Sequence, residues 1–120
     1  MYEGSISVIK IRNVLLVTVP PDPDDELINQ LQERVLQILD QSKAKGVIMD
    51  ISTVDILDSF FAHTLVETAK MIALMGGRTI ISGMNPSVAV TATQLGLTFG
   101  DIDTELDVDS ALDRMEASED

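Results

Sequence analysis

Ser59 and His63 stand four residues apart, and Asp50, Asp55 and Asp58 precede the serine. On a helix, residues at that spacing are neighbours, and the imidazole would lean back toward the hydroxyl. Amide groups at the helix start could then serve as an oxyanion hole for hydrolysis. No third group stands ready to orient the histidine, and the G-x-S-x-G elbow is absent. A solvent-facing histidine is the plainer reading. Metal chemistry fares no better: with one histidine and no cysteine, zinc would need mostly carboxylate ligands. As a calcium loop the stretch from Asp50 places Asp55 where glycine must turn and Phe61 where a bidentate glutamate must stand.

Modification of the serine is the chemistry that remains. About four N–H groups lack partners at a helix start, and either Asp58 or Ser59 can cap them. With Asp58 as cap, Leu57 and Ala62 form a hydrophobic staple and Ser59 becomes the first helical residue. A phosphate there would meet free amides and the positive end of the dipole. It would add roughly −1.5 to −2 charge beside Asp55 and Asp58. A docked protein would be repelled without any change of fold. The bland alternative is an ordinary helix cap.

The elements that must position this serine read clearly. Residues 5–11 and 14–19 are β-branched and aliphatic, which predicts two strands turning near Asn13. Pro20, Pro21 and Pro23 end the second strand. Asp24 or Asp25 caps a helix whose apolar positions Leu27, Ile28, Leu31, Val35, Ile38 and Leu39 recur at helical spacing. Gly46 is expected to close it in the left-handed conformation. Residues 47–51 predict a central strand. The helix after Ser59 carries Phe61, Leu65, Ala69 and Ile72 on one face and ends at Gly76-Gly77. Residues 79–82 form another strand, and Asn85-Pro86 opens a helix over 87–95 that stops at Gly96. A weak strand over 104–106 precedes a last helix, capped by Asp107, over 108–116, and the end of the chain frays. The order β-β-α-β-α-β-α-β-α implies one α/β domain over residues 1–120: a mixed, mostly parallel sheet with an N-terminal hairpin and about four helices.

Composition narrows the function. Hydrophobic content is 45% and aromatics only 3%, so the core must be aliphatic. A net charge of −12 argues against nucleic-acid backbones and anionic lipid. No run of about 18 apolar residues suggests a membrane span, and the start lacks a signal-peptide pattern, so the cytoplasm is the expected location. Neither G-x-x-x-x-G-K-[ST] nor G-x-G-x-x-G occurs, and no cofactor is expected.

"VIMDISTVDILDSFFAHTL" resembles the signature of STAS domains, the family of sulfate transporters and anti-sigma factor antagonists. Their pattern is D-[LFI]-S-x-[VL]-x-x-[LIM]-D-S before a helix, with the serine as kinase target. Asp50, Ser52, Val54, Leu57, Asp58 and Ser59 fall on it. Phe60-Phe61-Ala62 departs from the serine or threonine and glycine-leucine that follow in most antagonists. Together with "MGGRTIISGMNPSVAVTATQLG" it is more similar to the small scaffold subunits of stressosomes. The resemblance implies a non-enzymatic scaffold that holds an RsbT-like serine kinase together with RsbR-like paralogues. Phosphorylation of Ser59 would release the kinase, and an RsbX-like phosphatase would reset the site. It further implies a homodimer and a large hetero-oligomer. Partner contacts would fall on Asp55, Asp58, Ser59, Phe60 and His63, with Asn85, Pro86 and Ser87 as a second surface.

Two rivals stay open. A response-regulator receiver would be phosphorylated on Asp50; an extra first strand and the lack of any lysine beyond Thr79 oppose it. A STAS domain binding nucleotide or lipid would need a basic phosphate cradle, which the sequence does not offer.

Overall fold

The computed structural model describes residues 6–96 and 102–117. Arg12 (φ 52°) and Asn13 (φ 64°) are both left-handed. Two such residues in a row make the tight turn whose twist suits a hairpin. They join β1 (Ser7–Ile11) to β2 (Val14–Thr18) in antiparallel register, Ile11 opposite Val14. The expected start of β1 at Ser5 and the fraying end at residues 118–120 lie outside the described residues.

Helix α1 (Asp25–Ser42) begins at Asp24, whose Oδ1 accepts the Leu27 N–H at 2.8 Å. Its end corrects the sequence reading. Lys43, not Gly46, takes the left-handed position (φ 58°), and its N–H bonds the Leu39 carbonyl at 3.2 Å. Gly46 instead opens β3 (Gly46–Asp50). A Cβ there would lie 2.7 Å from Met115 Sδ and 2.9 Å from the Arg78 carbonyl oxygen. The glycine is needed for close packing, not for a turn.

Strands β2, β3, β4 (Arg78–Ser82) and β5 (Asp103–Glu105) run parallel, in the order β1-β2-β3-β4-β5. Strand residues alternate between two faces. Leu15, Val17, Val47, Met49 and Ile81 pack with α1, α2 (Ser59–Leu74) and α3 (Pro86–Gln94). Val14, Ile48 and Ile80 pack against Ala111, Leu112 and Met115 of α4 (Val108–Ala117). Phe61 is the only buried aromatic among the described residues, so the core is aliphatic as composition requires.

β5 sits one residue earlier than its sequence suggested. Asp103 pairs with Ile80 in register and accepts Arg78 Nη2 at 2.6 Å, while Leu106 is left 88% exposed beyond the strand. Asp107 caps α4, accepting the Ser110 N–H at 2.8 Å.

A candidate functional site at the head of helix α2

The parallel strands all deliver their carboxyl ends to one edge of the sheet, and the loop from Ile51 to Asp58 crosses that edge. Its apolar residues turn inward at three-residue spacing: Ile51, Val54 and Leu57 are all buried. That spacing throws Asp55, Ile56 and Asp58 outward, Ile56 to 75% exposure.

The loop is pinned from both flanks. Thr53 Oγ1 donates to the Val19 carbonyl at 3.2 Å. Asn85 Nδ2 donates to the Val54 carbonyl at 2.6 Å, and Ser87 Oγ to the Asp55 carbonyl at 3.1 Å. Asn85 also caps α3, accepting the Val88 N–H at 3.1 Å, with Pro86 in the first helical turn. One asparagine thus starts a helix and fixes the neighbouring loop. Beneath them Asp50 is occupied at both oxygens, Oδ1 by Ser82 Oγ at 3.1 Å and Oδ2 by Ser52 Oγ at 3.0 Å. Gly83 (φ 78°) passes so close that a Cβ would meet Ser52 Cβ at 2.7 Å.

Asp58 is the cap of α2: its Oδ1 accepts the Phe61 N–H at 2.8 Å and its carbonyl accepts the Ala62 N–H at 3.0 Å. Ser59 is the first helical residue and is exposed. Its hydroxyl makes no hydrogen bond among the described residues. By helix geometry the amides of Ser59 and Phe60 point ahead of the first turn toward solvent. Phe60 is 38% exposed.

His63 does not face the hydroxyl. Its Nδ1 lies 2.8 Å from the Ser59 carbonyl oxygen. A carbonyl can only accept, so Nδ1 carries the proton and donates it there, and among the described residues no hydrogen bond joins the imidazole to the Ser59 hydroxyl. The serine–histidine hydrolase geometry is not formed.

All eight residues expected at a partner surface, Asp55, Asp58, Ser59, Phe60, His63, Asn85, Pro86 and Ser87, gather at this one edge. Ile56 was missing from that set. The signal was present in Val54-x-x-Leu57, whose inward pair leaves Ile56 outside.

Of these eight residues and Ile56, two are carboxylates and none is lysine or arginine. A shallow cleft of about 330 Å³ on the α4 side is lined by Asp50, Ser52, Gly83, Leu106, Asp107, Val108 and Asp109. Its carboxylates disfavour a phosphate ligand. Among the described residues no group of three or more histidines and carboxylates is placed to hold a metal ion, and no helix is long and apolar enough to cross a membrane.

A five-stranded sheet with an antiparallel leading hairpin, and a capped serine heading the second helix, define a recognised class. The chain belongs to the STAS domain family, whose pattern matches residues 5–111. It is 29% identical over 113 residues to RsbRB of Bacillus subtilis (strain 168), an RsbT co-antagonist protein, covering 93% of this chain and 41% of that one. The chain therefore spans about two fifths of that relative. Among solved structures it is similar to a serine-to-glutamate variant of RsbS from Moorella thermoacetica, with TM-score 0.84, 26% identity, and 94% and 96% of the two chains covered. A chain of the stressosome, described as a signal integration and transduction hub, aligns with TM-score 0.79 and 26% identity over 93% and 97% of the two chains. The likeness within the family is thus to its stressosome-type members. The receiver-domain reading of Asp50 loses its footing, since the sheet opens with the hairpin and both carboxylate oxygens are engaged by hydroxyls.

Proposed function

We propose that this chain is a non-enzymatic, phosphorylation-switched scaffold of the stressosome type. It binds an RsbT-like serine kinase together with RsbR-like paralogues and releases the kinase when Ser59 is phosphorylated. An RsbX-like phosphatase resets the site, and the whole cycle runs in the cytoplasm as part of a stress response.

The observation that carries this reading is the exposed Ser59 hydroxyl, ahead of two solvent-facing amides and beside Asp55, Ile56, Asp58 and Phe60. Ile56 and Phe60 supply the apolar contact a docked protein needs. A dianion placed between Asp55 and Asp58 raises local negative charge, while the helix end accepts it without refolding.

The test is incubation with an RsbT-like kinase and Mg–ATP, followed by mass spectrometry. One phosphate on Ser59, stable to acid and eliminated in mild alkali, is expected. Ser59→Asp should weaken kinase capture about tenfold or more, equivalent to ~1.4 kcal/mol. Ser59→Ala should hold the kinase through the ATP treatment. Equal capture by both variants, or phosphate on any other residue, rules the switch out.

A further inference from the structure

Among the residues gathered at the serine edge, one side chain can gain a positive charge near neutral pH. It is His63, the only histidine in the chain. It is exposed and stands one helical turn after Ser59, on the same face. The backbone fixes its place. Nδ1–H donates to the Ser59 carbonyl at 2.8 Å, which holds the ring at the first turn of α2. Nε2 makes no hydrogen bond among the described residues. A second proton therefore goes on at Nε2, and the bond at Nδ1 survives it. The gain is a cation and a new donor, with no movement of the ring.

The charges around it are mostly of the opposite sign. The loop brings Asp55 and Asp58, and Glu67 lies one turn further along α2. Asp50, beneath the loop, is engaged by two hydroxyls. The neighbouring helix α1 opens with Asp24, Asp25 and Glu26 at the same edge of the sheet. Strand β4, packed behind α2, contributes Arg78, which is paired with Asp103. Helix α3 carries no charged residue. Lys70, the one lysine of α2, lies about 10 Å further along the axis at 1.5 Å per residue. Of all these groups only an imidazole ordinarily titrates near neutrality.

A phosphoryl group on Ser59 would add acceptor oxygens further out on the face that His63 shares, with a second ionisation near pH ~6. Imidazolium and phosphate dianion attract, and each favours the charged form of the other. Their pairing takes back part of the charge that the phosphate adds beside Asp55 and Asp58. We propose that His63 is the counter-ion of a phosphate on Ser59 and makes the switch pH-dependent, an assignment that rests on Ser59 being the modified residue. With the imidazole protonated, a docked kinase is repelled less. With the imidazole neutral, the full dianion acts. Release is therefore strongest on the alkaline side of neutrality.

Phosphoserine encoded at position 59 makes the test independent of any kinase. Phosphorus-31 NMR then follows the phosphate through a pH titration with His63 retained, in His63→Gln and in His63→Lys, with circular dichroism confirming that each chain is folded. The phosphate should titrate about half a pH unit or more lower with His63 than in His63→Gln, and His63→Lys should keep that lowering. Equal midpoints with histidine and glutamine overturn the proposal, as does a lysine that fails to restore the lowering. Capture of an RsbT-like kinase, compared between serine and phosphoserine at position 59, gives the second readout. At about pH 6 the loss of capture that the phosphate causes should be about threefold or more smaller with His63 than in His63→Gln. At about pH 8.5 those two losses should agree, whereas His63→Lys should keep the smaller one. Equal losses for histidine and glutamine at both pH values overturn the pH dependence. A kinase that neither binds nor modifies the chain sinks the function proposed above, and the NMR titration still decides whether His63 is the counter-ion.

Discussion

The Ser59 side chain is exposed and its hydroxyl makes no hydrogen bond among the described residues, so substitutions there should separate binding from stability. Ser59→Ala should change the unfolding free energy by less than about 0.5 kcal/mol, as exposed surface changes usually do. Asp58→Ala, one residue earlier, should cost about 1 kcal/mol, because the Phe61 N–H loses its 2.8 Å acceptor. Asn85→Ala should cost more, about 2 kcal/mol, since it removes the α3 cap and strips the part-buried Val54 carbonyl of its donor. Urea unfolding of the three variants gives the order; a Ser59→Ala cost equal to that of Asp58→Ala would mean the hydroxyl is structural. Asp58 and Ser59 were legible in the sequence because capping is local: three or four residues decide it. The double duty of Asn85 was not, because its second partner, Val54, lies 31 residues away. Ile56 was hidden for a related reason, its exposure following from the burial of Val54 and Leu57 against the sheet.

Helices α1 and α2 announced themselves through periodicity, the first four strands through their aliphatic runs, and α3 and α4 through their caps; the misreadings fell where tertiary packing overrides a local rule. Gly46 looked like a helix stop because glycine favours the left-handed conformation. In the fold Lys43 accepts that strain, and Gly46 is reserved for the approach of Met115 from α4, which no window around residue 46 contains. Gly46→Ala should therefore destabilise by about 1–3 kcal/mol through overpacking. Combined with Met115→Ala the costs should not add, because the second change empties the space that the new methyl needs. Simple additivity in denaturant unfolding would show that the Arg78 carbonyl, at 2.9 Å, is the obstacle instead. The same helix carries an acid-sensitive start. Hydrogen bonds from the Ser110 backbone and side chain hold the Asp107 carboxyl below its ordinary pKa. A group depressed in the folded state contributes stability that is full above its unfolded pKa and fades as pH falls through the folded one. Asp107→Asn should thus flatten the loss of thermal stability at the acid end of the carboxylate range and leave its slope near neutral pH unchanged.

Across the whole molecule, eight lysines and arginines face twenty carboxylates. Several of those cations are already committed to close pairs: Arg12 to Glu116 at 3.0 Å, Arg78 to Asp103 at 2.6 Å, and Arg114 to Glu105 and Asp103 at 2.8 and 3.1 Å. All are at least partly exposed, and such pairs are worth about 0–1 kcal/mol each. The unbalanced acids repel one another over longer distances. The radius of gyration is 13.3 Å. At 0.01 M salt the screening length is ~30 Å, longer than the molecule's own radius, and at 0.15 M it falls to ~8 Å. Sodium chloride over that range therefore removes the long-range repulsion first and leaves contacts near 3 Å largely intact. Stability should rise with salt, with the melting temperature up by about 4 °C or more if the gain reaches ~1 kcal/mol. Thermal unfolding at a series of sodium chloride concentrations measures this. A melting temperature that falls with salt would show instead that the Arg78–Asp103–Arg114–Glu105 cluster outweighs the net charge. The stabilising electrostatics would then sit at the β4–β5–α4 corner rather than in the balance of the whole surface.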